Sequence, residues 1–366
     1  MSSYLDNFVE ARKVVLPCLY LPPGISQAAT PRKKKADDGE SFAHRLSRSM
    51  LRVNPHLLPS VERAVDKACR NLKMTRSHVH AFVTPELEGI NAVCYNSCDK
   101  PVIVFGPQII ELMSEDELCF VAGHELGHFL LPEAHLHDDD SSEGRIYSRA
   151  AELSMDRIGT VACGDPKAAC NASMKLMCGL REPHLRTDVS AFLADARESF
   201  DGDFHRHEER STHPPAQIRL WSIVQFSLSD AYLSTQGKTG GTPIGQINLT
   251  IGKKMTDHVD GLALKESAES VLMAKAWLYC LCLCHGHNPD LRILNEVGPA
   301  VETERLRKAW DSLGGFKDDQ LKEHAHKRMT KAAETAFQRA PNLTRQFFTF
   351  VSEQSHFASV RHLISL

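Results

Sequence analysis

The sequence predicts an α+β fold, mostly helical, with a small β-sheet in its N-terminal half and an all-α helical C-terminal domain. Three observations carry this. Between residues 79 and 106, "VHAFVT", "INAVCY" and "PVIVFG" are rich in β-branched and aromatic residues and are bounded by Pro, Gly and Asn, as short strands are. Most other apolar stretches repeat at helical spacing. A Gly/Thr-rich stretch, "STQGKTGGTPIGQ" (234–246), separates two parts of a chain whose 366 residues exceed one ordinary core.

Taken in order, residues 1–41 form an N-terminal segment with a short apolar patch and a polar linker, "SQAATPRKKKADDGES". Its basic run is followed at once by "ADD", and reads as solvated linker rather than an address signal. Residues 42–72 suit one or two helices, and the three strands follow. Ser114 opens the next helix as "SEDE", where its hydroxyl caps a free N–H and Glu117 reaches back to complete a capping box. Pro132 ends that helix. A polar loop leads to a helix over 145–163, closed by Gly164, and Asp165-Pro166 begins another that ends near Gly179. A helix or loop is expected around 188–199, and "HPPAQIRLWSIVQFSL" starts one more helix on its prolines. The predicted boundaries are a folded domain at 42–233, a linker at 234–261 and about four helices in 262–366.

Composition excludes several classes. A net charge of −3 gives no pull toward nucleic acid or an anionic membrane. Eleven cysteines without a C-x-x-C pair read as reduced, buried thiols, so a soluble, cytoplasmic chain is expected. No opening stretch reads as a signal peptide, and no membrane span is expected: the best candidate, Val271–Cys284, is short and carries Lys275. In "YCLCLCHGH" (279–287) only Cys280 and Cys284 share a helical face, which reads as core packing rather than a second metal site.

The chemistry concentrates in "VAGHELGHFLLPEAH" (121–135). On a helix His124 and His128 stand one turn apart and project from one face, a pairing suited to a tetrahedral zinc ion. Glu125 lies about 100° around the helix, beside such an ion, where it can deprotonate a water whose pKa zinc lowers to about 7. Gly123 and Gly127 each cost the helix about 1 kcal/mol against alanine, and together leave a groove for close approach of another backbone. A catalytic zinc needs a third protein ligand. Leu131 and Ala134 occupy the positions where a metzincin has glycine and histidine. The next helix offers "AELSMDRIG", with Glu152 and Asp156 on one face. Glu152 can be the third ligand and Asp156 can hold a ligand histidine's free ring N–H; both can equally be ordinary acids on an amphipathic helix. His205 and His207, in "HRHEERSTH", either add ligands or border the cleft on a solvated loop.

In order and spacing, "SEDELCFVAGHELGHFL", "AELSMDRIG" and "STHPPAQIRL" resemble the M48 family of zinc metallopeptidases, with this chain as a soluble member. The resemblance spans about Val79 to Val224. It implies a zincin-like domain of gluzincin type holding one zinc ion on His124, His128 and Glu152. Glu125 would be the general base and Asp156 would support a ligand histidine. It further implies that His213, in "STHPP", stabilises the oxyanion or occupies the fourth zinc position, and that Asn91, Ala92 and Val93 lie on an edge strand that pairs with substrate. The function implied is a zinc-dependent endopeptidase acting on a peptide or unfolded protein through a zinc-activated water. The alternative is a catalytically silent or self-blocked binding protein that recruits a protein partner through 262–366.

Overall fold

The structure is a computed structural model of the chain and describes residues 4–22, 38–95, 98–135, 140–200, 211–357 and 360–363. It divides into two compact units, the first running to Val259 and the bulk of the second beginning at Asp260.

The first unit holds α1 (Val9–Val15), α2 (Gly39–Leu46), β1 (Leu51–Arg52), α3 (Pro59–Asn71), β2 (His80–Val83), β3 (Ala92–Tyr95), β4 (Val102–Phe105) and α4 (Pro107–Leu112). These are followed by α5 (Glu115–Leu130), α6 (Ser142–Cys163), α7 (Pro166–Cys178), α8 (Val189–Phe200), α9 (Ala216–Ser227), α10 (Asp230–Thr235) and α11 (Ile244–Met255). The expected strands sit where the sequence places them, and the region 42–72 supplies two helices with the short β1 between them.

The sheet order is β1-β2-β4-β3, with β2 and β4 parallel and the two outer strands antiparallel to their neighbours. Side chains alternate between its faces as strand geometry requires. Phe82, Val93, Val102 and Val104 pack against Ala43, Phe42 and Leu46 of α2. Ala81, Ala92, Ile103 and Phe105 enter the main core with α3 and α5. Both faces are therefore covered, while β3 remains an edge. Asn91 accepts from Gly106 N–H at 2.9 Å. In an antiparallel pair the bonded positions alternate, so Asn91, Val93 and Tyr95 pair with β4 while the backbone groups of Ala92 and Cys94 face away from it, toward an edge that no other described strand covers, with the Cys94 N–H bonded to the Glu125 carboxylate.

Two boundaries differ from expectation. The N-terminal segment is partly core, since Phe8, Ala11, Val15 and Cys18 are buried with the first unit. Phe8 meets Phe129 edge-on at 5.1 Å, and Arg12 donates to Leu130 O at 2.6 Å, where a cation complements the end of α5. Most of the expected 26–41 linker lies outside the described residues. The Gly/Thr stretch is a folded turn rather than the division between units: Asp230 N–H donates to Thr242 O, Thr242 N–H to Leu228 O, and Ile244 N–H to the Asp230 side chain, each at 2.9 Å. Gly241 permits this, with φ of +93° and backbone so close that an added Cβ would lie 2.8 Å from Asp230 N. α11 then buries Ile247, Ile251 and Met255 against Ala150, Leu153 and Ile218.

The second unit contains α12 (Gly261–Cys284), α13 (Leu291–Leu294), α14 (Thr303–Asp311), α15 (Asp318–Arg339) and α16 (Pro341–Glu353). Its core gathers Val271, Leu278 and Leu281 with Leu306, Met329, Phe347 and Val351. Lys275 is buried there and donates to Val297 O at 2.6 Å and Pro299 O at 2.7 Å. Cys280 and Cys282 are buried, and burial pushes both thiols up to about 12, as packed core thiols rather than ligands. The expectation of no span meets one qualification. The helical run Ile244–Cys284, 41 residues, is long and apolar enough to cross a membrane by length and composition, though 61% of its apolar window is buried inside the protein.

Candidate metal centre

α5 carries the two histidines on a helix fixed at its start. Ser114 N–H donates to Glu117 Oε2 at 2.7 Å, completing the expected capping box, and Lys175 pairs with the same oxygen at 2.7 Å. α6 crosses α5 at glycines. An added Cβ on Gly123 would lie 2.2 Å from Ala162 Cβ, one on Gly127 2.6 Å from Met155 Sδ, and one on Gly159 2.7 Å from Phe120 O. The close approach expected of Gly123 and Gly127 is thus made by α6, and Gly159 is its unanticipated counterpart. This crossing brings a glutamate from α6 within reach of the imidazole pair.

Three side chains converge there. The ligand atoms of His124, His128 and Glu152 all lie within 4.8 Å of one another. His124 Nε2 is 3.6 Å from Glu152 Oε2, and His128 Nε2 is 3.8 Å from Glu152 Oε1. Donors bound at 2.0–2.2 Å around a tetrahedral zinc stand about 3.4 Å apart, so this set is close to the spacing the ion needs. His124, Glu125 and Glu152 are each less than a tenth exposed, which shields the set from bulk water.

Behind the three stands a charged support. Asp156, fully buried, is 3.1 Å from His124 Nδ1, which leaves Nε2 to face Glu152. Arg219, from α9, grips Asp156 with two bonds, Nε to Oδ2 at 2.8 Å and Nη2 to Oδ1 at 2.7 Å. Its Nη1 also lies 3.3 Å from Glu152 Oε2. Burial alone would raise Asp156, but the Arg219 charge and bonds outweigh it and hold the carboxyl well below the usual range. Burial likewise pulls His124 toward its neutral form, yet the Asp156 bond and the surrounding carboxylates raise its pKa overall. For Glu125 burial dominates, helped by the Glu152 charge, and lifts its pKa to about 7 against the opposing pull of His124.

Sequence reasoning passed over Arg219. Its only signal was a lone arginine near the start of an apolar helix, inside the "STHPPAQIRL" stretch already singled out. His213 lies on the approach to α9, 61% exposed, with Nε2 3.7 Å from Glu152 Oε1, bordering the converging set without joining it. Asn91, Ala92 and Val93 lie at the start of the β3 edge; Ala92 shares the core-facing side of the sheet with Cys94. His205 and His207 fall outside the described residues.

Residues 55–137 match the model of peptidase family M48, a span that takes in β2 to β4 and the whole of α5. Over 165 residues the chain is 30% identical to the plastoglobule-localized metallopeptidase 48, chloroplastic, of Arabidopsis thaliana. That match covers 37% of this chain and 48% of the relative, so the chain spans about half the length of the relative it matches. No solved structure matches it. The matched region holds both histidines of the converging set, so the part of the chain that carries them is similar to peptidase family M48.

Proposed function

We propose that the chain is a zinc-dependent endopeptidase that hydrolyses peptide bonds in a peptide or unfolded protein, with Glu125 as general base. The observation that supports it most is the convergence of two imidazoles and one carboxylate beside a second carboxylate whose pKa lies near 7. The donor set suits one zinc ion on His124, His128 and Glu152, because Asp156 occupies the Nδ1 side of His124 and leaves Nε2 toward Glu152. Zinc in such a site supplies Lewis-acid polarisation of a carbonyl and acidifies water.

The chain's own groups do the rest. Glu125, poised near neutrality, accepts a proton from the attacking water and returns it to the leaving amine. Arg219 holds Asp156 and Glu152 together, so the third ligand and the support of the first share one anchor. Ala92 and the Cys94 carbonyl offer backbone bonds to an extended peptide laid along β3, while the Cys94 N–H holds Glu125. His213 reaches over the cleft to the developing oxyanion. The eleven cysteines, none of them in a disulfide, fit a reducing compartment such as the cytoplasm.

In purified protein, near-stoichiometric zinc and cleavage of an unfolded substrate such as casein are expected. Chelation should abolish cleavage and added zinc restore it. Glu125→Gln should retain zinc and lose on the order of 10²- to 10⁴-fold in rate. A Gln variant that cuts at the parent rate would end this reading. A second reading has one observation behind it: His213 Nε2 stands from Glu152 at the same distance as the two histidines, 3.7 Å against 3.6 and 3.8 Å. As a fourth ligand it would hold the site shut, leaving a binding protein. X-ray absorption separates the two, with three protein ligands plus solvent for the peptidase and four protein ligands for the blocked form.

A further inference from the structure

The approach to α9 that carries His213 is held from inside the protein. Arg149, fully buried, lies on α6 almost one turn before Glu152. Its Nη1 donates to the carbonyl of Ser211 at 2.6 Å. Ser211 then clasps His213: its Oγ accepts His213 N–H at 3.1 Å and donates to His213 O at 2.9 Å. Thr212 Oγ1 lies 3.1 Å from His213 Nδ1, on the far side of the ring from Glu152.

Two features make this more than a core contact. With its side chain 61% exposed, His213 is aimed little by packing, so its direction depends on the bonded backbone beneath it. A fully buried guanidinium is also a costly way to fill space, since an apolar side chain of similar volume does so without desolvating a charge. One of its bonds leads straight to the residue that clasps His213.

We propose that Arg149 is a positioning residue that sets His213 over the metal centre. It ties the Ser211–His213 turn to the helix that carries Glu152, so one rigid element aims both groups. The functional side rests on the reading of His213 given above, whereas the anchoring itself does not.

The test uses the full chain. Amide hydrogen exchange is followed in peptides covering 211–219 and 115–131 for the parent, Arg149→Met, Arg149→Lys and Ser211→Ala. Turnover of casein is measured for these, for His213→Ala and for the Arg149→Met/His213→Ala pair. Losing a charge-assisted bond should speed exchange at 211–213 about tenfold in Arg149→Met. Ser211→Ala, which alters no core residue, should move the same amides, while 115–131 stays protected in both. Arg149→Lys should recover part of the protection. The rate constant kcat should shift as in His213→Ala with KM little changed, and the paired variant should match His213→Ala within about twofold. Unchanged exchange at 211–213 in both Arg149→Met and Ser211→Ala overturns the proposal. So do losses that multiply in the paired variant. Should Arg149→Met loosen 115–131 equally, Ser211→Ala decides. If His213→Ala leaves kcat unchanged, the reading of His213 fails and the exchange data still judge the anchor.

Discussion

Arg219 beside the candidate metal centre and Lys275 in the C-terminal unit are both cations withdrawn from water, answered in different ways. Arg219 meets two carboxylates, Asp156 at 2.7 Å and Glu152 at 3.3 Å, and its charge is reinforced. Lys275 meets two peptide carbonyls and the ring of Phe347, with its nitrogen 5.1 Å from the ring centre. Dipoles do not replace a counter-charge, and burial lowers its pKa to about 8. A network of full charges keeps Asp156 and Arg219 ionised and fixes where their atoms point, which a ligand set requires. A lone buried lysine only staples the 297–299 backbone to α12.

The largest effect should come from breaking the network. Arg219→Met leaves Asp156 buried without its cation, and removing one partner of a buried pair costs about 3–5 kcal/mol. Hydrogen exchange should show the loss in α5 and α6, with zinc affinity reduced and peptides from the second unit unaffected. Stable, fully zinc-loaded protein would show that Asp156 draws its support from elsewhere. Next is the helix crossing. Gly123→Val places a branched side chain where even a single Cβ lies 2.2 Å from Ala162, an overpacking worth about 1–3 kcal/mol. Moving α6 also moves Glu152, so zinc loss should accompany the lower melting temperature, and retained stoichiometric zinc would separate packing from ligation.

The smallest effect sharpens the contrast from the other side. Between about 8 and the ordinary 10.5, the unfolded chain holds a proton on Lys275 that the folded chain lacks. Unfolding therefore takes up a proton, and this residue's contribution to stability falls as pH is lowered through that window, then stays level below it. Lys275→Met should flatten that slope in the second unit and cost about 1–3 kcal/mol through the two carbonyls left unpaired. A pH profile parallel to the parent's would exclude Lys275 as its source.

Local patterns in the sequence carried much of the fold. The three main strands, the Ser114 cap and the helix end at Gly179 follow from residues that act within a few positions of themselves. So does the meeting of His124 and His128, one turn apart. What escaped depends on partners distant in the chain. The two-residue β1 is too short for a pattern and exists through pairing with β2. Composition marks 234–246 as flexible, yet bonds back to Leu228 and Asp230 fold it. The N-terminal segment joins the core through Phe129 and Leu130, more than a hundred residues away. Arg219 and Arg149 look like any helix arginines until Asp156 and Ser211 are found beside them.

The open edge of β3 has a consequence for self-association. An unpaired strand margin can template another copy of its own chain as readily as it receives a client peptide. Here the margin is four residues long, and of the outward backbone groups of Ala92 and Cys94 the Cys94 N–H is already bonded to Glu125. So few bonds hold a neighbouring strand poorly, and a guest remains there only if its side chains find purchase elsewhere. Brevity thus guards against fibre growth while leaving the margin usable for passing chains.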